Sequence, residues 1–197
     1  MYTIHSIFQM YPRDLRTGYL GLILGPMFSG KSSMLMRQLV TLVDLGQPCC
    51  YVNSKEDTRT TTCVSTHGSQ PLESPKITYL KTSSLALVDV SGFSVIGVDE
   101  GQFFEDLVPI INEWVMSKKV VFVAGLSGDS FKRPFGSLHI LAPQADDVMY
   151  LKAKCVTCLE SGALVDAAFT KRLVVGTETK LIGGGDKYAP VCRLHHC

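Results

Sequence analysis

One eight-residue segment constrains the fold of this chain more than any other. Residues 25–32 read GPMFSGKS and fit the pattern G-x-x-x-x-G-K-[ST] at every fixed position. An apolar run at 19–24 precedes the segment and a helical pattern follows it from 31 to about 45, which is the strand–loop–helix context of a phosphate-binding loop. An ordinary glycine turn before a helix is the alternative. The complete pattern with both flanks favours the phosphate-binding loop.

The residue types in this segment suit a nucleoside triphosphate. Backbone N–H groups at a helix N-terminus attract anionic phosphate, and glycine lets the backbone approach closely. The lysine neutralises the β- and γ-phosphates, and the serine hydroxyl can ligate Mg²⁺. We therefore predict a site for ATP and Mg²⁺ that is made by Gly25, Pro26, Met27, Phe28, Ser29, Gly30, Lys31 and Ser32.

Apolar periodicity predicts the fold class. Helical patterns at 31–45 and 103–116 alternate with short apolar runs that are typical of buried strands. These runs lie at 19–24, 49–52, 93–98 and 120–126. Such alternation predicts an α/β fold with a mainly parallel sheet. Residues 54–76 are rich in Thr, Ser, Pro and Gly, and we expect an exposed loop there.

Length and texture set the expected domains. With 197 residues, 46% of them apolar, the chain can bury a sizeable core without disulfides. After about residue 150, cysteine, glycine and short strand-like pieces replace the alternation. We expect an N-terminal arm at 1–18, an ATP-binding α/β domain at 19–150 and a small subdomain at 151–197.

Charge and hydropathy favour a cytoplasmic protein. The 19 basic and 18 acidic residues give a net charge of +1, which does not indicate binding to nucleic acid or to an anionic membrane. No apolar run approaches the roughly 18 residues of a membrane span. The first 18 residues lack the pattern of a signal peptide. We therefore expect a cytoplasmic location, where disulfides rarely persist.

Two acids follow the third apolar run. Residues 94–98 lead directly into Asp99 and Glu100. An acid at the end of a strand beside the P-loop strand completes the Mg²⁺ shell in P-loop proteins, and Asp99 suits that role. Glu100 can face the transferring phosphoryl group and act as general base on a hydroxyl. Acids also end strands as solvated caps, but a preceding P-loop favours the functional interpretation.

The cysteines indicate a metal site near the C-terminus. Seven is an odd number, and four of the seven fall in the last 43 residues. Two ligand pairs with zinc spacing predict a closed, structural zinc site made by Cys155, Cys158, Cys192 and His195. Spacing alone leaves His196 and Cys197 open as the fourth ligand, and free buried thiols are the alternative. Cys49, Cys50 and Cys63 read as small core residues.

Several segments together resemble one family. The chain is similar to thymidine kinases of the zinc-containing type that occurs in vertebrate cytosol, bacteria and poxviruses, over about residues 18–197. DEGQFF and GGGDKY are more specific than the P-loop, which unrelated proteins share. The matching segments are GPMFSGKS (25–32), DTR (57–59), DEGQFF (99–104), KRPFG (132–136), CVTC (155–158), FTKRL (169–173) and IGGGDKY (182–188).

The resemblance implies a P-loop (RecA-like) α/β core with a zinc-ribbon and lasso subdomain. It implies transfer of the γ-phosphoryl group of ATP to the 5′-hydroxyl of thymidine, with Glu100 as general base. On the ATP and Mg²⁺ side it adds Asp57, Thr58, Arg59, Asp99 and Gln102. The lasso, here 169–173 and 179–188, closes over the thymine. The implied nucleoside contacts are Met27, Leu126, Phe131, Thr170, Thr179, Lys180, Leu181, Ile182, Gly183 and Tyr188.

Two of the departures from the family pattern affect predicted site residues. The aromatic that packs on the base is expected four residues after Leu126, where Ser130 stands, so we assign that role to Phe131 one position further. The ending Cys-x-x-His resembles many bacterial members and favours His195 as the fourth ligand. The resemblance also implies a homotetramer. It leaves deoxyuridine as a second substrate and dTTP as a feedback inhibitor open.

Two other functions fit parts of the pattern. A nucleic-acid-dependent P-loop ATPase would use the zinc ribbon and the basic tail to bind DNA. A catalytically inactive nucleotide-binding module would not need the intact Lys31, Ser32, Asp99 and Glu100. The basic residues of the tail are Lys152, Lys154, Lys171, Arg172, Lys180, Lys187 and Arg193.

Overall fold

The structure is a computed structural model that describes residues 17–57, 74–174 and 183–196. Within these ranges, six strands form one sheet in the order β3-β2-β4-β5-β1-β6, and each neighbouring pair is parallel. The predicted α/β class is confirmed. The strands of the sheet are β1 (Tyr19–Gly25), β2 (Cys49–Ser54), β3 (Ile77–Thr82), β4 (Val95–Val98), β5 (Val120–Leu126) and β6 (Asp147–Tyr150).

Helices cover both faces of this sheet. One face packs against α1 (Lys31–Asp44), and the other packs against α2 (Leu107–Met116) and the short α3 (Leu138–Leu141). Successive residues of β1 serve the two faces in turn, with Leu22 on the α2 side and Ile23 on the α1 side. Both faces are therefore buried, as is usual for parallel sheets. Short 3₁₀ turns lie at Leu85–Leu87, Gly101–Phe103, Ala142–Gln144 and Leu194–His196.

Three local features differ from what the sequence predicted or were not predicted at all. Helix α2 starts at Leu107 rather than 103, which places Pro109 in the first turn, where its missing N–H breaks no helical hydrogen bond. Strand β3 was not predicted, because it lies at the sheet edge and only its two end residues are buried. Strand β5, not β4, lies beside the P-loop strand β1, so the strand that carries the acids is one position further away.

The C-terminal elements pair with one another instead of joining the large sheet. Strands β7 (Ala153–Lys154) and β8 (Asp166–Ala167) form one antiparallel pair, and β9 (Phe169–Arg172) and β10 (Tyr188–Val191) form another. Helix α4 (Val156–Glu160) follows β7. Their shared cluster of buried residues is Ala153, Cys155, Cys158, Ala167, Val191 and Cys192. Within the described ranges, no helix combines the length and apolarity needed to cross a membrane.

Candidate active site

The P-loop connects β1 to α1 in a conformation that depends on its glycines. Gly30 has φ 81°, a left-handed value that favours glycine, and its carbonyl accepts the first helical hydrogen bond from Met34 N at 2.9 Å. A Cβ at Gly25 would lie only 2.5 Å from Ser29 Oγ, so a side chain at this position would clash with the loop. The buried Lys31 donates from Nζ to Pro26 O at 2.8 Å, which holds its ammonium over the loop.

Asp99 lies at the carboxyl end of β4, with both carboxylate oxygens hydrogen-bonded. Its Oδ2 accepts the Tyr51 hydroxyl at 2.5 Å, and its Oδ1 accepts the Glu100 N–H at 2.9 Å. Ser32, at the start of α1, also hydrogen-bonds to this carboxylate. Burial and the adjacent Glu100 raise the pKa of Asp99 to about 6. The fold thus brings together the hydroxyl and the acid that the sequence assigned to Mg²⁺, although β5 separates their strands.

Glu100 is aimed by a left-handed backbone and by one amide side chain. Its φ and ψ are 52° and 42°, which turns the chain sharply after β4. Gln102 donates from Nε2 to Glu100 Oε2 at 2.5 Å, and its Oε1 accepts the Leu126 N–H at 3.1 Å. Gln102 therefore links the carboxylate to the end of β5. The family resemblance implied that Gln102 lies on the phosphate side, and these contacts show how it holds Glu100.

Asp57 is the last described residue before the first internal gap, and it is buried. Its carboxylate accepts Asn53 Nδ2 at 3.3 Å, and its carbonyl accepts Lys81 Nζ at 2.7 Å. The predicted Thr58 and Arg59 lie outside the described residues. Among the described predicted residues of the phosphate side, three buried acids (Asp57, Asp99 and Glu100) accompany one buried cation, Lys31. This excess of carboxylate oxygen, with the Ser32 hydroxyl, is the donor chemistry that a divalent cation such as Mg²⁺ prefers.

The loop after β5 presents Phe131 through contacts to Asp129. The buried Asp129 carboxylate accepts the N–H groups of Phe131 and Arg133 at 2.8 Å each, and it pairs with the Arg133 guanidinium at 2.8 Å. That guanidinium stacks 4.7 Å from the centre of the Phe131 ring, which is 44% exposed. Phe131, which the sequence analysis assigned to packing on the base, is therefore held at the surface by contacts among Asp129, Phe131 and Arg133.

Two contacts connect the P-loop to the C-terminal elements. The N–H of Met27 donates to Thr170 Oγ1 at 2.9 Å, so two residues predicted to contact the nucleoside touch directly. Phe28 packs against the cysteine-rich cluster, and a Cβ at Gly185 would lie 3.8 Å from its ring. Tyr188 is buried at the start of β10. Gly183 is described, whereas Thr179, Lys180, Leu181 and Ile182 lie outside the described residues.

The predicted metal ligands converge on one point. The ligand atoms of Cys155, Cys158, Cys192 and His195 all lie within 4.8 Å of one another. His195 Nδ1 lies 3.5, 3.3 and 3.4 Å from the sulfurs of Cys155, Cys158 and Cys192. His196 instead packs its ring against Phe169, at 5.6 Å between ring centres, and Cys197 lies outside the described residues. Three sulfurs and one imidazole nitrogen are the donor set of a closed tetrahedral zinc site.

The thiols of Cys155 and Cys158 have pKa values that are shifted in opposite directions. Burial tends to raise the pKa of Cys155, but backbone hydrogen bonds from Cys192 and Cys158 outweigh it and lower that pKa to about 6. Burial and the two neighbouring thiols raise the pKa of Cys158 to about 12. The arrangement of these thiols suits a cation, because a bound metal would stabilise the thiolate form of each of them.

Part of the basic tail is already paired. Lys154 and Lys152 lie 2.6 and 3.5 Å from the Asp166 carboxylate, and Lys171 Nζ donates to His195 O at 3.0 Å. These contacts direct three of the lysines to the subdomain itself. Asp166 therefore offsets one of the positive charges that the alternative of a basic nucleic-acid surface would use. Cys49 and Cys50 are buried in the sheet, as predicted, and Cys63 lies outside the described residues.

Sequence reasoning missed two residues that hold the site, Tyr51 and Asp129. A tyrosine inside an otherwise apolar strand was an available signal, since a buried phenol needs a hydrogen-bond partner. An aspartate two residues before the aromatic was another, since such side chains cap the N–H groups of the turn that follows them.

Fold and site together define a P-loop nucleotide-binding protein of the α/β class. A family model described as thymidine kinase matches residues 18–196. The chain belongs to the thymidine kinase family.

Curated relatives agree with this assignment. The cytosolic thymidine kinase of Bos taurus is 40% identical over 177 residues, covering 90% of this chain and 71% of the relative. The cytosolic thymidine kinase of Homo sapiens is 38% identical, with 90% and 72% covered. The thymidine kinase of Monkeypox virus is 38% identical over 176 residues, with 89% and 95% covered.

One solved structure supports the fold alone. The flagellar accessory protein FlaH of Methanocaldococcus jannaschii is similar with a TM-score of 0.51 at 14% identity. The similarity covers 83% of this chain and 75% of that chain.

Proposed function

We propose that the protein transfers the γ-phosphoryl group of ATP to the 5′-hydroxyl of thymidine, giving dTMP and ADP. Family membership supports this reaction. The observation that carries the mechanism is the position of Glu100, whose buried carboxylate is held by Gln102 next to the Asp99–Ser32 contact. A general base is thereby fixed beside the groups that suit the phosphates and their cation.

In this mechanism Glu100 accepts the proton of the 5′-hydroxyl. The hydroxyl oxygen forms a bond to the γ-phosphorus while the bond from that phosphorus to the bridging oxygen breaks, and ADP leaves. Lys31 and the P-loop N–H groups stabilise the phosphate charge, and we extend this role to Arg59. Ser32 and Asp99 would hold Mg²⁺, which neutralises charge on the β- and γ-phosphates when bound.

The nucleoside would bind where the P-loop meets the C-terminal elements. Met27 and Thr170 are joined there by a hydrogen bond, and Leu126 ends β5 next to Gln102. We propose that Phe131 packs on the base and that main-chain groups of residues 179–183, with Tyr188, bind its edge. The exposed Phe131 ring and its anchoring by Asp129 support this assignment.

The C-terminal elements form the proposed zinc subdomain, residues 151–197. Zinc would be held by Cys155, Cys158, Cys192 and His195, and it would stabilise the fold rather than take part in the reaction. The change of strand pairing after Tyr150 supports the proposed boundary with the ATP-binding domain at 19–150. We further propose a cytoplasmic homotetramer that acts on no nucleic acid. Deoxyuridine as substrate and dTTP as inhibitor belong to the same proposal. A nucleoside panel tests the first, and addition of dTTP to the thymidine assay tests the second.

A coupled ADP-release assay tests the reaction. Zinc-replete protein with Mg²⁺ and ATP should turn over only when thymidine is added. Glu100→Gln should reduce kcat at least about 100-fold, because the amide cannot accept the proton. Glu113→Gln makes the same change at an exposed position of α2 and should leave kcat unchanged. Turnover that responds to DNA and not to thymidine would instead establish the nucleic-acid-dependent ATPase.

A further inference from the structure

Tyr51 is a buried tyrosine that reaches the phosphate side of the site. It lies in the middle of β2, its side chain is fully buried, and it belongs to the cluster that packs against α1. Its hydroxyl donates to Asp99 Oδ2 at 2.5 Å. Phenylalanine would fill the same space without burying a polar group, so packing alone does not account for the hydroxyl.

The strand register explains why this contact forms. Tyr51 pairs with Gly97 on β4, and Asp99 follows two residues later, so its side chain emerges on the same face of the sheet. Ser32 reaches the same carboxylate from the start of α1, and Glu100 N–H binds its other oxygen. Three parts of the fold therefore fix one carboxylate. Among the contacts from the described residues, only that from Tyr51 comes from a side chain outside the predicted site.

We propose that Tyr51 is a positioning residue for the Mg²⁺–nucleotide site. Its hydroxyl holds the Asp99 carboxylate in the orientation that presents it, together with Ser32, to the cation. Groups that orient ligands in this way raise metal affinity by about tenfold or more. The inference rests on the proposed role of the P-loop and of Asp99 in binding Mg²⁺ and nucleotide. It does not depend on which acceptor is phosphorylated.

A second tyrosine offers a matched control. Tyr79 lies on the neighbouring strand β3, and its ring centre is 5.8 Å from that of Tyr51. Its hydroxyl accepts the Ser74 N–H at 2.9 Å and lies 3.7 Å from Met36 Sδ. Tyr79→Phe thus removes one partly buried phenol oxygen from the same pair of rings without removing the contact to Asp99.

Binding of ADP to the full chain, measured by calorimetry in Mg²⁺ and in EDTA, tests the proposal without turnover. We expect Tyr51→Phe to weaken binding about tenfold in Mg²⁺ and less than twofold in EDTA. Tyr79→Phe should change binding less than twofold in both. Equal losses in both conditions, or no loss, would overturn the proposal and leave Tyr51 a purely structural residue.

A double-variant cycle locates the effect. In the Asp99→Asn background, Tyr51→Phe should weaken Mg²⁺-dependent ADP binding less than twofold, because the group it positions is already absent. A full tenfold loss in that background would overturn the proposal. If Tyr51→Phe behaves as expected but thymidine is not phosphorylated, the proposed function fails while this inference stands. If thymidine is phosphorylated but Tyr51→Phe has no Mg²⁺-specific effect on ADP binding, the proposed function stands and this inference fails.

Discussion

The sheet and the C-terminal elements are held together by different means. In β1, β2 and β4 every residue is buried, and helices cover both faces. The C-terminal strands are two to four residues long, and three of the six residues in their buried cluster are cysteines. Apolar burial can stabilise the first region by itself, whereas so small a core is usually supported by a metal or by disulfides, so we expect the proposed zinc to stabilise the second. In the proposed mechanism, the phosphate side lies on the first region, and the nucleoside contacts depend partly on the second.

Removing one thiol should have the largest effect and should be confined to one region. Binding of a structural zinc contributes on the order of 10 kcal/mol to folding in small zinc domains, so Cys155→Ser should unfold the C-terminal elements. Hydrogen exchange should show loss of protection in β9 and β10, while β1 and β5 stay protected. Elemental analysis should show loss of zinc.

Cys50→Ala provides the control for that experiment. Cys50 is buried in β2, away from the cluster, so this variant should keep its zinc and the protection of β9 and β10. Full protection of these strands in zinc-free Cys155→Ser would refute the proposed difference between the regions.

The weak point of the sheet region is a buried charge rather than a lack of core. The pKa of Asp99, raised to about 6 from 3.8, means that folding favours its protonated form. The stability that the protonated Asp99 carboxyl gives to the folded state is therefore fully present only below its ordinary pKa of 3.8, and it is lost as the pH rises through 6. In EDTA at pH 7.5, Asp99→Asn should raise the free energy of unfolding by on the order of 1 kcal/mol or more, since each unit of pKa shift corresponds to about 1.4 kcal/mol. Urea titrations at pH 7.5 and pH 4 measure this gain, which should be much smaller at the lower pH.

Two details make the Asp99 prediction decisive. The new amide can still accept the Glu100 N–H, and the Tyr51 hydroxyl can accept from its nitrogen, so hydrogen bonding survives. Added Mg²⁺ and ADP should reverse the ranking, since they stabilise only the carboxylate form of the site. A variant less stable than the natural sequence at pH 7.5 in EDTA would show that the ionised carboxylate is not under strain.

Sequence reasoning is strongest where the residues of a motif lie close together in the chain. The P-loop segment and the two cysteine pairs are readable because their groups are a fixed few residues apart, and the structure brings the predicted four metal ligands together. It failed where a tertiary contact decides. The edge strand β3, the strand between β1 and β4, and the hydrogen bond from Tyr51 to Asp99 depend on partners that are distant in the chain. Pro109 was a signal that α2 starts nearby, but the prediction followed the apolar pattern of 103–116 and placed the start four residues too early.

A smaller effect is expected at the junction of the two regions. Thr170→Val keeps the shape of the side chain but leaves the buried Met27 N–H without its acceptor, at a cost of about 1–2 kcal/mol. We expect a higher KM for thymidine with an unchanged Kd for ADP in EDTA, because the loop and the nucleoside side lose their connection. Thr170→Ser keeps the hydroxyl and should restore most of the affinity. If the binding of thymidine and the binding of ADP were weakened equally, the contact would only support the P-loop.

The smallest effect should come from the surface ion pairs of the C-terminal elements. Asp166 binds Lys154 at 2.6 Å and Lys152 at 3.5 Å, and all three side chains are about half exposed. Exposed pairs contribute little to stability, and salt screens them. Asp166→Asn should therefore lower Tm by no more than a few degrees in zinc-replete protein, and less at 0.5 M salt. A large drop that persists at high salt would mean that β7 and β8, rather than the metal, hold this region, and it would remove the contrast with the sheet.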